Sequence, residues 1–178
     1  MFVTSHIPDL VLELKALANA APSILSLVSV DGYDRVGKSH LSNHLAQILS
    51  LRLIELDDLL GADGTVDVQR LKHAVNARSA TEERGCLVNG VLILDELATA
   101  ELTPTHRIYV KALNRNGDWV HSDWTAASDE EIQHARREGM PIGTVYPSSL
   151  IAQCAEYHRK TRPHLSADSI LENQNWER

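Results

Sequence analysis

Leu10, Val11, Leu14 and Leu17 recur at three- and four-residue intervals, and this spacing predicts an amphipathic helix over 9–20. Pro8 lies just ahead of it, where a proline is tolerated. After Pro22, the run from Ile24 to Val30 predicts a buried strand. A glycine-bearing turn then leads into a helix over 37–50 with Leu41, Leu45, Ile48 and Leu49 on one face, and residues 51–56 predict a second short strand that runs into Asp57-Asp58. Residues 66–77 suit a helix. The most apolar stretch, Cys86 to Leu94, predicts a central strand interrupted by Asn89-Gly90. His106 to Lys111 alternates around Ile108 and Val110 as a strand does, and Asn116-Gly117 marks a turn. Ser128 and Glu131 form the two ends of a capping box, opening a helix that runs through Arg136-Arg137 to Gly139. A further helix over 148–159, then Pro163 and a strand over 169–171, complete the pattern. Strands alternating with helices predict an α/β fold with a mostly parallel sheet flanked by helices in three layers. With no internal repeat or low-complexity stretch, residues 1–178 form one predicted domain.

The turn after the first predicted strand carries the most specific chemistry. Gly32-Tyr33-Asp34-Arg35-Val36-Gly37-Lys38-Ser39 matches G-x-x-x-x-G-K-[ST] at every fixed position, and His40 follows within the same first helical turn. Two glycines let the backbone wrap so that successive N–H groups face phosphate oxygens, and the helix that follows adds its positive end. Lys38 would reach the outer phosphates and the Ser39 hydroxyl would ligate magnesium. Four fixed positions coincide by chance in about one unrelated chain of this length in a hundred. The strand before the motif and the helix after it make a nucleotide site with ATP and Mg2+ the stronger reading. Asp34 and Arg35, at the loop tip, suit contact with substrate or plain solvation.

Composition then narrows the classes. A net charge of −7 argues against a protein built to coat nucleic acid, which needs clustered positive charge; the only basic concentration is Arg159 to Arg162. Cys86 and Cys154 stand in no metal or redox spacing and suit a reducing compartment. The longest apolar runs are too short to cross a bilayer, and the N-terminus lacks a signal-peptide pattern, so the expectation is a cytoplasmic protein with neither membrane nor nucleic-acid partner. Oligomeric state leaves no mark in the sequence.

A phosphate loop does not name a reaction. The guanine-specifying N-K-x-D segment is absent, which argues against a GTPase. The remaining short motifs resemble the uridine kinase-like group of small-molecule kinases. They are Val30-Asp31-Gly32 running into Gly37-Lys38-Ser39, Asp57-Asp58 after the second strand, Asn89-Gly90-Val91-Leu92, Ile108-Tyr109-Val110, Tyr157, Arg162-Pro163 and Ala167-Asp168. The resemblance spans about residues 24–171, and it implies transfer of a phosphoryl group from Mg-ATP to a hydroxyl of a nucleoside-like or other small acceptor. It also implies a mobile lid near residues 112–140, where Arg136 or Arg137 would steady the transferring charge.

Asp57, at the carboxyl end of a strand beside the loop, is the candidate to orient the acceptor. Asp58 is the candidate to hold magnesium. Two alternatives stay open. Val91-Leu92-Ile93-Leu94-Asp95-Glu96 fits the apolar strand ending in Asp-Glu of ATPases (the Walker B pattern), with Asp95 near magnesium and Glu96 polarising a water. Asn89 stands where the kinase group tends to carry an acid, which suits a nucleotide-binding regulator with weak catalysis. His40 and His44 lie one helical turn apart with no third ligand, so a polar helix face is the better reading. Trp119 and Trp124 suit either an acceptor pocket or the cover of a hairpin.

Overall fold

The computed structural model describes residues 1–62, 64–77, 84–122, 128–138 and 149–174. Six strands form one sheet: β1 (Phe2–Thr4), β2 (Leu27–Asp31), β3 (Leu51–Glu55), β4 (Gly85–Asn89), β5 (His106–Ala112) and β6 (Ser169–Asn173), in the spatial order β1-β6-β5-β2-β4-β3. Every pairing is parallel. The helices are α1 (Ile7–Ala20), α2 (Lys38–Leu49), α3 (Val68–Asn76), α4 (Ile93–Thr99), α5 (Asp129–Glu138), α6 (Ser149–Thr161) and the single turn α7 (Pro163–Ser166).

Alternation along the strands divides the core between the two faces. Val28, Val30 and Leu87 join Leu10 and Leu14 of α1 and Leu41 and Leu45 of α2 on one side. Leu27, Cys86 and Val88 join Leu71 of α3 and Ile93 and Leu97 of α4 on the other. All five residues of β2 are buried, as expected of a central parallel strand covered on both faces. The result is the three-layer α/β arrangement that the alternating pattern predicts. No helix of the described residues is long and apolar enough to cross a membrane.

Several expectations need correction. The strand predicted from Ile24 begins at Leu27, because Pro22 opens a 3-10 turn over Pro22–Leu25. The edge strand β1 has only three residues and takes its register from β6, so it left no periodic signal. The apolar strand running through Leu94 into Asp95 and Glu96 does not exist. β4 ends at Asn89, Leu92 takes a left-handed φ of 58°, and Ile93–Thr99 is helical. Ile93 and Leu97, one helical turn apart, bury themselves together in the second core cluster, and this gain decides for the helix. Asp95 and Glu96 therefore fall in the first turn of α4, where negative charge favours the helix dipole.

Elsewhere the local signals hold. Ser128 N–H donates to Glu131 Oε2 at 2.7 Å and Glu131 N–H to Ser128 Oγ at 3.2 Å, the reciprocal capping box. Gly139, Trp124 and Ser148 lie outside the described residues.

Candidate active site

The site lies at the carboxyl edge of the sheet, where β2 is flanked by β4 on one side and β5 on the other. Open α/β sheets place their ligand crevice at such a switch point. β2 delivers Asp31 as its last residue, and the chain turns at Gly32 with φ 144°. A Cβ at Gly32 would stand 2.5 Å from the Val110 carbonyl oxygen, so only glycine lets the loop pass this close to β5. Gly37, with φ 94°, ends the loop as the N-cap of α2 and offers no capping side chain. The N–H groups of the first turn of α2 thus remain available to an anion. The Asn173 amide donates to Val36 O at 2.9 Å and braces the loop from the end of β6. Asp34 and Arg35 form an exposed pair at 3.5 Å on the loop tip.

Lys38 is 8% exposed, and its ammonium donates to Tyr33 O at 2.6 Å. Burial pulls its pKa down, while the charges of Asp31 and Asp34 oppose that shift. The Asp31 carboxylate accepts from Gly32 N–H at 2.7 Å and from the Tyr157 hydroxyl on α6. Burial raises the Asp31 pKa from 3.8 to about 6, against the lowering effects of Tyr157, Gly32 N–H and Lys38.

That shift has a measurable consequence. Between the two values the folded state holds a proton that the unfolded chain has released. This stabilisation is complete below pH 3.8 and is lost as pH rises through about 6. It amounts to about 3 kcal/mol. Asp31→Asn is therefore expected to gain on the wild type by about that amount between pH 4 and pH 7, read as the difference between their urea unfolding free energies. Parallel pH profiles would refute the assignment.

Beside the lysine, β3 and β4 end in register, Glu55 against Asn89. Parallel pairing points both side chains the same way. The Asn89 amide donates to Glu55 Oε2 and, at 3.3 Å, to Ser39 Oγ. Burial raises the Glu55 pKa, and the bond from Asn89 offsets part of the rise. Asn89 Oδ1 is buried and unpartnered among the described residues.

The donor set is hard oxygen, Ser39 Oγ and the Glu55 carboxylate, bridged by the Asn89 amide N–H groups. Magnesium takes such ligands, and it binds through one or two side chains together with phosphate oxygens and water. The residues fit it on those terms, since Ser39 Oγ and the Glu55 carboxylate supply the side-chain oxygens and leave the other positions to phosphate and water. Glu55 was not among the sequence candidates. Its signal was present only as a charged residue closing a strand, and the β3–β4 register gives it meaning.

A cavity of about 340 Å³ opens over the loop, lined by Lys38, Ser39, Glu55, Asp57 and Asn89, with His40 at its rim. Asp57 stands exposed in the 3-10 turn Leu56–Leu59 that follows β3. Asp58, in the same turn, does not line this cavity, and its backbone oxygen accepts from Arg70 at 3.1 Å. Asp95 is exposed on α4 and accepts from the Thr161 hydroxyl at 3.1 Å. It does not line the cavity either, although its charge acts on Asp31. Arg137 is exposed and its Nε donates to Gln133 O at 3.4 Å; the Arg136 side chain lies outside the described residues.

Tyr33 is packed between two imidazoles, His158 at 3.8 Å and His121 at 4.2 Å between ring centroids. Burial lowers the His158 pKa to about 3 and that of His121 to about 4, so both rings are neutral near pH 7. His158 Nδ1 donates to Cys154 O at 2.8 Å. The stack seats the loop residue whose carbonyl receives Lys38. Nothing in the sequence pattern announced it, since the three rings come from three separate segments.

No protein-family model matches the chain, and no curated protein matches it by sequence. Solved structures do. A protein assigned as a fructose transport system kinase from Silicibacter sp. superposes with a TM-score of 0.53 at 16% identity, covering 94% of this chain and 99% of its own. A protein assigned as a uridine kinase from Bacillus stearothermophilus gives 0.47 at 15% identity, over 89% and 99% of the two chains. A shikimate kinase from Bacteroides thetaiotaomicron gives 0.41 at 14% identity, over 86% and 89%. The first of these shares the three-layer α/β fold with its parallel sheet.

Proposed function

We propose that the chain is a kinase that transfers the γ-phosphoryl group of Mg-ATP to a hydroxyl of a small molecule. One observation carries this reading. The phosphate loop and Lys38 share a single cavity with two carboxylates, Glu55 at the end of β3 and Asp57 in the turn that follows it. Phosphoryl transfer needs cations around the phosphates and a carboxylate beside the attacking hydroxyl, and little else from the protein.

In the proposed reaction the acceptor oxygen attacks the γ-phosphorus, the bond to the β-phosphate oxygen breaks, and ADP leaves. Asp57 receives the hydroxyl proton or holds the hydroxyl in line. Lys38 leaves the Tyr33 carbonyl for the phosphate oxygens. Ser39 and Glu55 would hold magnesium, which when bound would neutralise charge on the phosphates. Glu55 takes the place first assigned to Asp58 and supplies the negative charge that Asn89 lacks, which weakens the case for a nucleotide-binding regulator with weak catalysis. Arg136 and Arg137 on α5 are the proposed lid cations. The ATPase reading loses its support with the strand it required, since Asp95 and Glu96 lie on α4.

The test is ATP consumption with magnesium, alone and with nucleosides, sugars and vitamins. Consumption should depend on one acceptor and yield one molecule of phosphorylated product per ADP. Acceptor-independent hydrolysis at the same rate would sink the kinase reading. Glu55→Gln should raise the magnesium concentration needed for half-maximal turnover about tenfold or more. An unchanged magnesium curve would remove Glu55 from the metal site.

A further inference from the structure

Asp57 and Val91 form a wall between the cavity over the phosphate loop and a second hollow of about 450 Å³. That volume falls within the range of about 300–1,000 Å³ common for small-molecule sites. Leu56, Leu60, Val66 and Leu92 give it an apolar side. Its charged groups are Asp57, shared with the first cavity, and Glu96 from the first turn of α4. Thr65 and Gln153 add neutral polar contacts.

The sign of the charge is one-sided. No lysine, arginine or histidine lines this hollow among the described residues. Glu96 is half-buried, and burial followed by the charge of neighbouring Asp95 raises its pKa. A carboxylate or phosphate on an acceptor would enter opposite two acids, with no cation to pair with among the described residues that line the hollow. A like charge placed without a partner is a strong device for excluding a ligand. An ammonium would instead find two carboxylates, and a neutral hydroxyl compound would find acceptors for its O–H groups above an apolar floor.

We propose that this second hollow binds the phosphoryl acceptor and ranks acceptors by charge, cationic first, uncharged next and anionic last, with the apolar side taking a ring or alkyl face. The inference rests on the kinase reading and adds the substrate class to it. Asp57 sits between the two cavities, within reach of both the phosphate site and an acceptor, which is where a hydroxyl-orienting group has to be. Glu96 becomes a specificity-determining residue rather than a water-polarising one.

The experiment uses matched acceptors built on one skeleton: a hexose with its amino and carboxylic analogues, and a nucleoside with its amino and carboxylic analogues. ATP consumption and kcat/KM are measured for each. On the accepted skeleton the acid should fall at least about tenfold below the neutral compound, and the amine should equal or exceed it. Glu96→Gln should narrow the amine-to-acid ratio by about tenfold, and Glu96→Lys should invert it. A change of ratio is something that mere loss of packing would not produce. Preference for the acid, or a ratio unmoved by Glu96→Gln in a protein with an intact melting transition, would overturn this inference and leave the kinase reading standing. ATP consumption that no acceptor of any charge stimulates would overturn both.

Discussion

Gly32→Ala will abolish nucleotide binding and lower the melting temperature by about 10 °C. Two costs combine at this position. The backbone there has φ 144°, a region that side chains avoid, which costs about 1–3 kcal/mol. The new methyl would also lie 2.5 Å from the Val110 carbonyl oxygen. Val110 cannot retreat, because β5 is bonded to β2 on one side and β6 on the other. Relief of that clash costs about another 1–3 kcal/mol or displaces the loop. A total near 3 kcal/mol converts to about 10 °C for a domain of this size. Gly64→Ala is the control, with a positive φ of 78° but nothing within 4 Å of the added Cβ. It should cost no more than about 1 kcal/mol and leave binding intact. Titration with a fluorescent ATP analogue and thermal melts of both variants decide the matter; equal behaviour of the two would show that the close approach to β5 does not shape the loop.

Lys38→Met should cost at least about a thousandfold in kcat while the protein stays folded. A donor aimed at charge that develops in the transition state is worth about a hundred- to a thousandfold, and a full positive charge on the transferring group supplies more. The folded state should tolerate the change. Lys38 is 8% exposed and its ammonium donates to the Tyr33 carbonyl, so methionine fills similar space at the loss of one hydrogen bond and spares the core a buried charge. Arginine should not rescue turnover, because its planar fork does not match the compact ammonium held beneath the loop.

A second effect is separable from catalysis. Lys38 lowers the Asp31 pKa, so its removal should push that value further above about 6. The stability that Asp31 confers in its protonated form would then persist to higher pH before it is lost. An unfolding profile of Lys38→Met that coincides with the wild type across pH 5 to 8 would contradict the proximity of the two charges. Turnover within tenfold of the wild type would contradict the role of the lysine.

The phosphate loop was legible because its spacing is a property of the backbone. Two glycines and a lysine at fixed offsets describe one turn between one strand and one helix, and all three elements are contiguous in the chain. The capping box at Ser128 and Glu131 was legible for the same reason. Glu55 was not. On its own it reads as a charged residue of an edge strand, and it becomes a site residue only when β4 is laid beside β3 with Asn89 opposite. Tyr157, 126 residues from Asp31, and the imidazoles around Tyr33 depend likewise on how distant segments meet.

The misreading at Asp95 has a different origin. Four apolar residues suit a buried strand or one face of a short helix equally well, and periodicity cannot separate them. The arbiter was Asn89-Gly90. A Cβ at Gly90 would stand 2.6 Å from Leu56 Cδ1, so the chain passes tightly under the turn after β3 there and leaves the sheet.

The brace from Asn173 to Val36 bears on how the protein is made. The two residues are 137 positions apart, and β6 also supplies the partner of β1 and one partner of β5. At about 5–20 residues per second on the ribosome, about 7 to 27 s separate the synthesis of the loop from that of the strand that steadies it. Helix α2 and the first strands can form in that interval, but the loop lacks its brace and β1 its register until the last strand emerges. Nucleotide affinity should therefore arrive late during translation, and a nascent chain stalled before residue 169 should hold most of its helices yet fail to retain ATP.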